Sequence, residues 1–281
     1  MSKNWRRGYS FVVAMILLLL PILNASGGQA ILSQEEYDEQ FQVYLETYVA
    51  TPELVSTWEY SLREYPENNQ LRYYLGTAYM NSGQFDKAKA CALEALQYEP
   101  DSSYFAYVYL MLCFQSDDLH ETQDAAEHLL DIVLPLLPPA GQPVDQHAFD
   151  NNYTYLKYYM NAVYIMQAIY SERGNEEEML QYSDWILQRK SDSDLGYKYG
   201  LLSMFYLAVH YARADRFNDM EYWMEQYFAF EATANNKDEA WKQQQELLQP
   251  FTDILQKIDN AYLEQGNEID IYSFFESDAS Q

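Results

Sequence analysis

Asn69–Ser102 reads NQLRYYLGTAYMNSGQFDKAKACALEALQYEPDS. Leu75, Gly76 and Tyr79 fall at i, i+1 and i+4, the spacing of one helix face. Gly83 stands where that helix should stop, because glycine accepts the left-handed backbone of a helix end. Ala88, Ala92 and Ala95 then recur at spacings of four and three, so a second helix presents small side chains along one face. Pro100 lacks an N–H and closes that helix. The stretch predicts two helices joined by a short turn and packed closely through glycine and alanine.

The same frame extends outward. One step back, Glu35–Asn68 places Phe41, Leu45, Leu54, Trp58, Ser61 and Pro66 on the corresponding positions. One step forward, Ser103–Leu136 keeps Tyr109, Leu110, Cys113, Ala126 and Leu129, with a turn at Ser116-Asp117-Asp118. A self-similar frame of about 34 residues made of two helices is the signature of a helical repeat. Leu75, Gly76, Tyr79, Ala88, Ala95 and Pro100 resemble the tetratricopeptide repeat, whose pattern is Leu-Gly, Tyr, Ala, an aromatic, Ala and Pro. Arg72 stands where that family often has Trp. Ala92 replaces the usual aromatic, which Trp58 supplies in the preceding unit. The resemblance implies an all-α fold, a right-handed α–α superhelix (a TPR-like solenoid) of about five helical hairpins. A generic α–α solenoid is the neighbouring reading.

Beyond Leu134 the phase breaks. Pro135, Pro138, Pro139, Gly141 and Pro143 predict a long loop over Pro135–Asn151. Helices are expected over Asn152–Arg173 and Glu176–Arg189. Another pair follows Asp192, carrying Leu207, Ala208, Tyr211, Phe217, Met220, Met224 and Tyr227. A closing helix or pair over Asp238–Gln265 should be interrupted at Pro250. The helical domain is thus expected over 31–266, and 267–281 forms an acidic tail with Tyr272, Phe274 and Phe275.

The N-terminus reads as an address. Lys3, Arg6 and Arg7 precede an apolar run at Phe11–Leu23, and small polar residues follow to Ala30. That order is the pattern of a secretory signal peptide over 1–30. An uncleaved signal anchor is the alternative, and either places the rest of the chain outside the cytoplasm. A bacterial periplasmic or extracellular location is expected. Asn152-Tyr153-Thr154 would be a glycosylation acceptor in a eukaryotic secretory pathway.

Charge narrows the partners. Lys and Arg number 17 against 43 acids, for a net −26, so phosphate backbones are repelled and nucleic acid is a poor partner. Contact with a membrane is expected only through an uncleaved N-terminus. Cys91 and Cys113 read as buried thiols or, in an oxidising compartment, as a pair. His120, His128, His147 and His210 show no zinc spacing. No Gly-rich phosphate loop, Cys-x-x-Cys or Gly-x-Ser-x-Gly occurs, so no cofactor, metal or catalytic residue is expected.

In the tetratricopeptide family the first helix of each hairpin lines the ligand-binding surface. Carried onto this chain, the fifth frame position gives Glu39, Tyr73, Tyr107, Tyr164 and Phe205. Thr77, Met80, Tyr104 and Phe114 share that face. Aromatic and Met-rich grooves take peptides or amphipathic helices, so a protein or peptide partner is expected. The opposing reading makes these rings packing residues, as aromatic stripes at helical spacing usually are. The leading expectation is an exported interaction module, a scaffold or assembly factor. An accessory structural subunit of a larger complex is the second, and an enzyme with a scattered site the third. Mass spectrometry of the protein from native cells should find no peptide from residues 1–10; recovering one would establish the uncleaved anchor.

Overall fold

A computed structural model describes residues 33–116, 118–145, 151–236 and 239–265. The signal segment 1–30, His147 and the tail 267–281 lie outside the described residues. Among those described, eleven α-helices occur, no strand does, and the helices pack in consecutive pairs. Five hairpins and one closing helix result, as the repeat frame predicts. The chain divides into two compact units, one ending at His128 and one beginning at Leu129.

The first unit contains α1 (Gln34–Thr47), α2 (Pro52–Glu64), α3 (Asn69–Asn81), α4 (Phe85–Tyr98) and α5 (Ser103–Gln115). It also holds most of α6 (Leu119–Val133). The starts of α1, α2, α3 and α6 are written in the sequence. Ser33 and Glu36 form a reciprocal capping box on α1. Thr51 Oγ1 accepts the Leu54 N–H at 3.2 Å ahead of Pro52, and Asn68 Oδ1 accepts the Leu71 N–H at 3.0 Å. Asp118 Oδ1 accepts the His120 and Glu121 N–H groups, each at 3.0 Å, and so opens α6.

The core of this unit is aromatic where α1, α2 and α3 meet and small where α3 meets α4. Phe41 stacks on Tyr74 with centroids 3.9 Å apart and planes at 14°. Trp58 is wholly buried, and its Nε1–H donates to Gln40 Oε1 at 3.0 Å. Between α3 and α4 a Cβ on Gly76 would meet Cys91 Cβ at 3.7 Å, ordinary contact distance. Ala78, Ala88, Ala92 and Ala95 are buried around it, alongside Leu75 and Tyr79. Backbones approach closely because nothing larger stands between them. Pro66 and Pro100 sit in the exposed turns that follow α2 and α4.

Arg72, the departure from the family pattern, is buried in this unit. Its guanidinium lies 4.6 Å over the Tyr98 ring and 3.6 Å from Glu94, and donates to Asn69 Oδ1 at 3.0 Å. Asn69 in turn donates to the Ala95 carbonyl at 3.3 Å. A flat cation stacked on an aromatic face fills the space an indole would take and ties the ends of α3 and α4 together. Cys91 and Cys113 are free and buried. Burial pushes their thiols up to about 12 and about 11, so at neutral pH both are protonated, apolar packing groups.

The second unit contains α7 (Asn152–Glu172), α8 (Glu176–Leu187), α9 (Asp194–Arg213), α10 (Phe217–Glu231) and α11 (Glu239–Gln265). The loop after α6 opens with a 3-10 turn at Leu134–Leu136. Its described part is fastened to the α8–α9 corner. Arg189 donates to the Pro138 carbonyl at 2.8 Å and to Asp192 Oδ2 at 3.2 Å. Asp192 accepts the Gly141 N–H through its side chain at 3.0 Å and the Val144 N–H through its carbonyl at 2.7 Å. Gly196 is required at this corner: a Cβ there would lie 2.2 Å from the Arg189 carbonyl oxygen.

One expectation fails here. The closing helix is not interrupted at Pro250; α11 runs 27 residues straight through it. Proline removes one helical hydrogen bond but leaves the buried face intact. Leu248, Thr252, Leu255 and Ile258 are all buried along α11, and the hydroxyls of Tyr227 and Thr252 bond at 2.9 Å. Tertiary packing across the proline outweighs the missing bond.

Glu121 staples the last helices of the first unit. Its carboxylate binds the Lys89 ammonium of α4 and accepts the Tyr109 hydroxyl of α5 at 2.7 Å. These bonds, the Lys89 one foremost, hold its carboxyl below the usual range against the opposing effect of burial. A carboxyl depressed in the folded state stabilises above its unfolded value, about 4.3, and loses that contribution as pH falls below it. Glu121→Gln should therefore cost about 1–2 kcal/mol at pH 7. In urea titrations the gap to the parent protein should close between about pH 4.5 and 3. An equal gap at pH 7 and pH 3 would show that the charge plays no part.

Candidate functional site

The first helices α1, α3 and α5 of the first unit carry the candidate residues, and their polar rows set the register. Asn68 donates to Gln34 at 3.2 Å, and Gln34 to Asp38 at 2.6 Å. Tyr74 donates its hydroxyl to Asp38 and accepts from Gln70 at 2.8 Å. At the far end Tyr44 donates to the Thr77 carbonyl at 3.3 Å and accepts from Asn81. Both ends of α3 are thus pinned beside α1, which fixes which side chains emerge between them.

Between these rows Tyr73 stands half-buried. Its ring meets Phe41 edge-on with centroids 5.3 Å apart, and meets Tyr104 edge-on at 5.1 Å and 70°. Tyr104 is exposed at the start of α5 and leans on Phe105 at 5.3 Å. The result is a run of aromatic faces, Phe41–Tyr73–Tyr104, buried at one end and open to solvent at the other. Met80 is exposed about two turns further along α3. Thr77 is half-buried and spends its hydroxyl on the Tyr73 carbonyl at 2.8 Å. Tyr107 and Phe114 are half-buried on α5. Of the positions read from the frame, Tyr73 and Tyr104 touch each other. The polar rows that pin them were not anticipated, although Asp38 and Tyr74 lie about one repeat apart.

The second unit keeps one candidate and removes another. Tyr164 is half-buried on α7 and faces Tyr199 and Tyr206 at centroid distances of 5.9 and 6.2 Å. Phe205, read as a groove residue, is only 2% exposed and packs edge-on against Phe251 at 5.0 Å. The continuous α11 covers it, so Phe205 is a core residue. The helix laid over it is the one that proline was expected to break.

Titratable groups that could do chemistry are few and engaged. Ser171 Oγ and His210 Nδ1 lie 3.0 Å apart, and burial lowers the imidazole's affinity for a proton. Glu176, the carboxylate nearest in effect, accepts Tyr211 at 3.1 Å and Arg216 at 2.6 Å. Its low pKa follows from the Arg216 bond first. It is a structural acceptor, not an orienting group for His210. His120 pairs with Asp124 at 3.1 Å on an exposed face. Among the described residues no group of three or more His, Cys, Asp or Glu could hold a metal ion, and no helix is long and apolar enough to cross a membrane.

Residues 70–102 match the family profile of the tetratricopeptide repeat. The chain therefore carries a tetratricopeptide repeat at α3–α4, and this repeat is a unit of protein–protein interaction. Two crystal structures of MamA are similar in fold at 13% identity. One covers 76% of this chain and 100% of its own, with a TM-score of 0.46; the other covers 73% and 90%, with a TM-score of 0.47. No curated protein matches the chain.

The Tyr73–Tyr104 contact makes a measurable claim. An edge-on aromatic pair contributes about 0.5–1.5 kcal/mol beyond area burial. A double-mutant cycle of Tyr73→Leu and Tyr104→Leu in urea unfolding should return a coupling in that range. Additive losses would mean the rings do not pack on each other.

Proposed function

We propose that this chain is an exported interaction module whose first unit receives a protein or peptide segment on the face of α3 and α5, at Tyr73 and Tyr104. The observation that carries the reading is the open end of the Phe41–Tyr73–Tyr104 run, whose middle ring, Tyr73, belongs to the segment 70–102 that matches a tetratricopeptide repeat. Tyrosine supports it chemically, offering a large flat apolar surface and a hydrogen-bonding tip at small entropic cost. Met80 on the same helix adds an adaptable apolar contact. A net charge of −26 argues for a partner segment that is neutral or basic, and against nucleic acid. The basic-then-apolar N-terminus supports a role outside the cytoplasm, in a bacterial envelope or beyond it. The scattered-site enzyme reading has no supporting geometry in the Ser171–His210 contact, which lacks an orienting carboxylate.

Photo-crosslinking in native cells tests the face directly. A photoreactive phenylalanine replaces Tyr104 in one strain and Leu93, exposed on α4, in another. A discrete protein trapped from position 104 and absent from position 93 is the expected result. Equal trapping from both positions, or none from 104 in a chain that keeps its helical circular dichroism, rejects the α3–α5 face.

A further inference from the structure

Among the described residues of the first unit, charge is sorted by helix. Arg63 lies on α2, and Lys87 and Lys89 on α4, the second helices of their hairpins. The one cation on a first helix, Arg72 of α3, is buried and spent on Asn69, Tyr98 and Glu94. Helix α5 carries no charged residue. Helix α1 carries Glu35, Glu36, Asp38, Glu39 and Glu46 and no Lys or Arg. Glu36 is engaged in the capping box with Ser33, and Asp38 accepts Tyr74 and Gln34. Glu39 and Glu46 are exposed. The ion pairs of the unit, Arg72–Glu94, Lys87–Glu59, Lys89–Glu121 and His120–Asp124, leave them out.

These two carboxylates flank an apolar side chain. Glu39, Val43 and Glu46 recur at spacings of four and three, so they form one stripe of α1. Val43 at its centre is 60% exposed. About 34 residues on, the same stripe of α3 is Tyr73, Thr77 and Met80. The Asp38–Tyr74 and Tyr44–Thr77 bonds hold α1 and α3 side by side. The first-helix surface therefore passes from carboxylates around a valine on α1 to the half-buried Tyr73 ring and exposed Met80 on α3. A surface that is acidic along one edge, apolar along the next and without an accessible cation complements a ligand of the opposite polarity. Glu39 and Glu46 stand two turns apart, about 10 Å along α1. An extended chain covers that distance in about three residues.

We propose that the partner received on this face is a basic amphipathic segment. Two Lys or Arg side chains, three positions apart, pair with Glu39 and Glu46, and its apolar side chains lie over Val43, Tyr73 and Met80. The proposal rests on the docking face described above and extends it to α1. Arginine suits the site better than lysine, because a guanidinium binds a carboxylate through two bonds and also stacks on aromatic rings.

Selection of a phage-displayed library of random dodecapeptides on the full chain tests this. Parallel selections use Tyr73→Ala, with its helical circular dichroism verified, and Glu39→Gln/Glu46→Gln. Peptides retained by the parent and lost with Tyr73→Ala should carry Lys or Arg at i and i+3 among apolar residues. By fluorescence polarisation, a synthetic copy of the enriched peptide should bind Glu39→Gln/Glu46→Gln about five-fold more weakly. Glu53→Gln/Glu64→Gln removes the same charge from exposed positions of α2 and should weaken binding less than about two-fold. Tyr73-dependent peptides that are acidic, or that show no basic preference, would overturn the proposal and leave the docking face standing. Equal weakening by the two double variants would reduce the effect to net charge and overturn it as well. Absence of any Tyr73-dependent peptide would overturn the proposal and the docking face together.

Discussion

Tyrosine hydroxyls that reach from one hairpin to the next hold the register of both units. Tyr74 reaches back to Asp38, Tyr44 forward to the Thr77 carbonyl and Tyr211 back to Glu176, while Tyr197 ties the two helices of its own hairpin, α9 and α10, at the Glu231 carbonyl. Each partner lies about one repeat away in sequence, between 33 and 36 residues. A phenol buried between helices without a partner costs about 1–3 kcal/mol. Sliding one hairpin by a residue would break several such bonds together, so the ties select a single stacking. Burial, with help from the neighbouring carboxylates, raises the Tyr74 and Tyr211 hydroxyls to about 12. They remain protonated donors throughout the neutral range.

These ties connect two oddities of composition, the 28 tyrosines and the excess of acids. Asp38, Glu59, Glu121, Glu176 and Asp194 each accept a tyrosine hydroxyl. Part of the negative charge is therefore structural, placed as acceptors inside the stack, and the remainder decorates solvent faces. The scarce cations are used with equal economy. Lys89, Arg189 and Arg216 each bridge elements, and buried Arg72 replaces an aromatic ring by stacking on one.

Much of this was legible because small residues and helix breakers report directly on geometry. Gly76 with the alanines of α4 announced a close helix pair, and the proline spacing announced the repeat. Five hairpins and a closing helix followed from that frame. Two features escaped it because they depend on what is laid over a position and not on its own spacing. Pro250 looks like a stop when read locally, yet the buried face of α11 carries the helix through it, and Phe205 is covered as a result. The aromatic face was legible in part. Tyr73 was placed by the frame, but its ring partner is Tyr104 at the head of α5 and not Tyr107 at the equivalent slot. Ring contacts follow side-chain direction across the helix gap, which a frame position does not encode.

The cross-hairpin tie also constrains how such a chain can change over evolutionary time. Donor and acceptor sit in different hairpins, so neither hairpin is complete by itself. Duplicating or deleting a segment of one full period preserves the phase of the helices across the joint. Any other length strands a phenol on one side and a carboxylate on the other. Helices α7 and α9, at 21 and 20 residues, show the permitted exception. There the spacing is 41 residues, and Tyr153 and Asp194 still meet. Growth by whole periods, or by lengthening both partners together, is the inheritance that this bonding pattern allows.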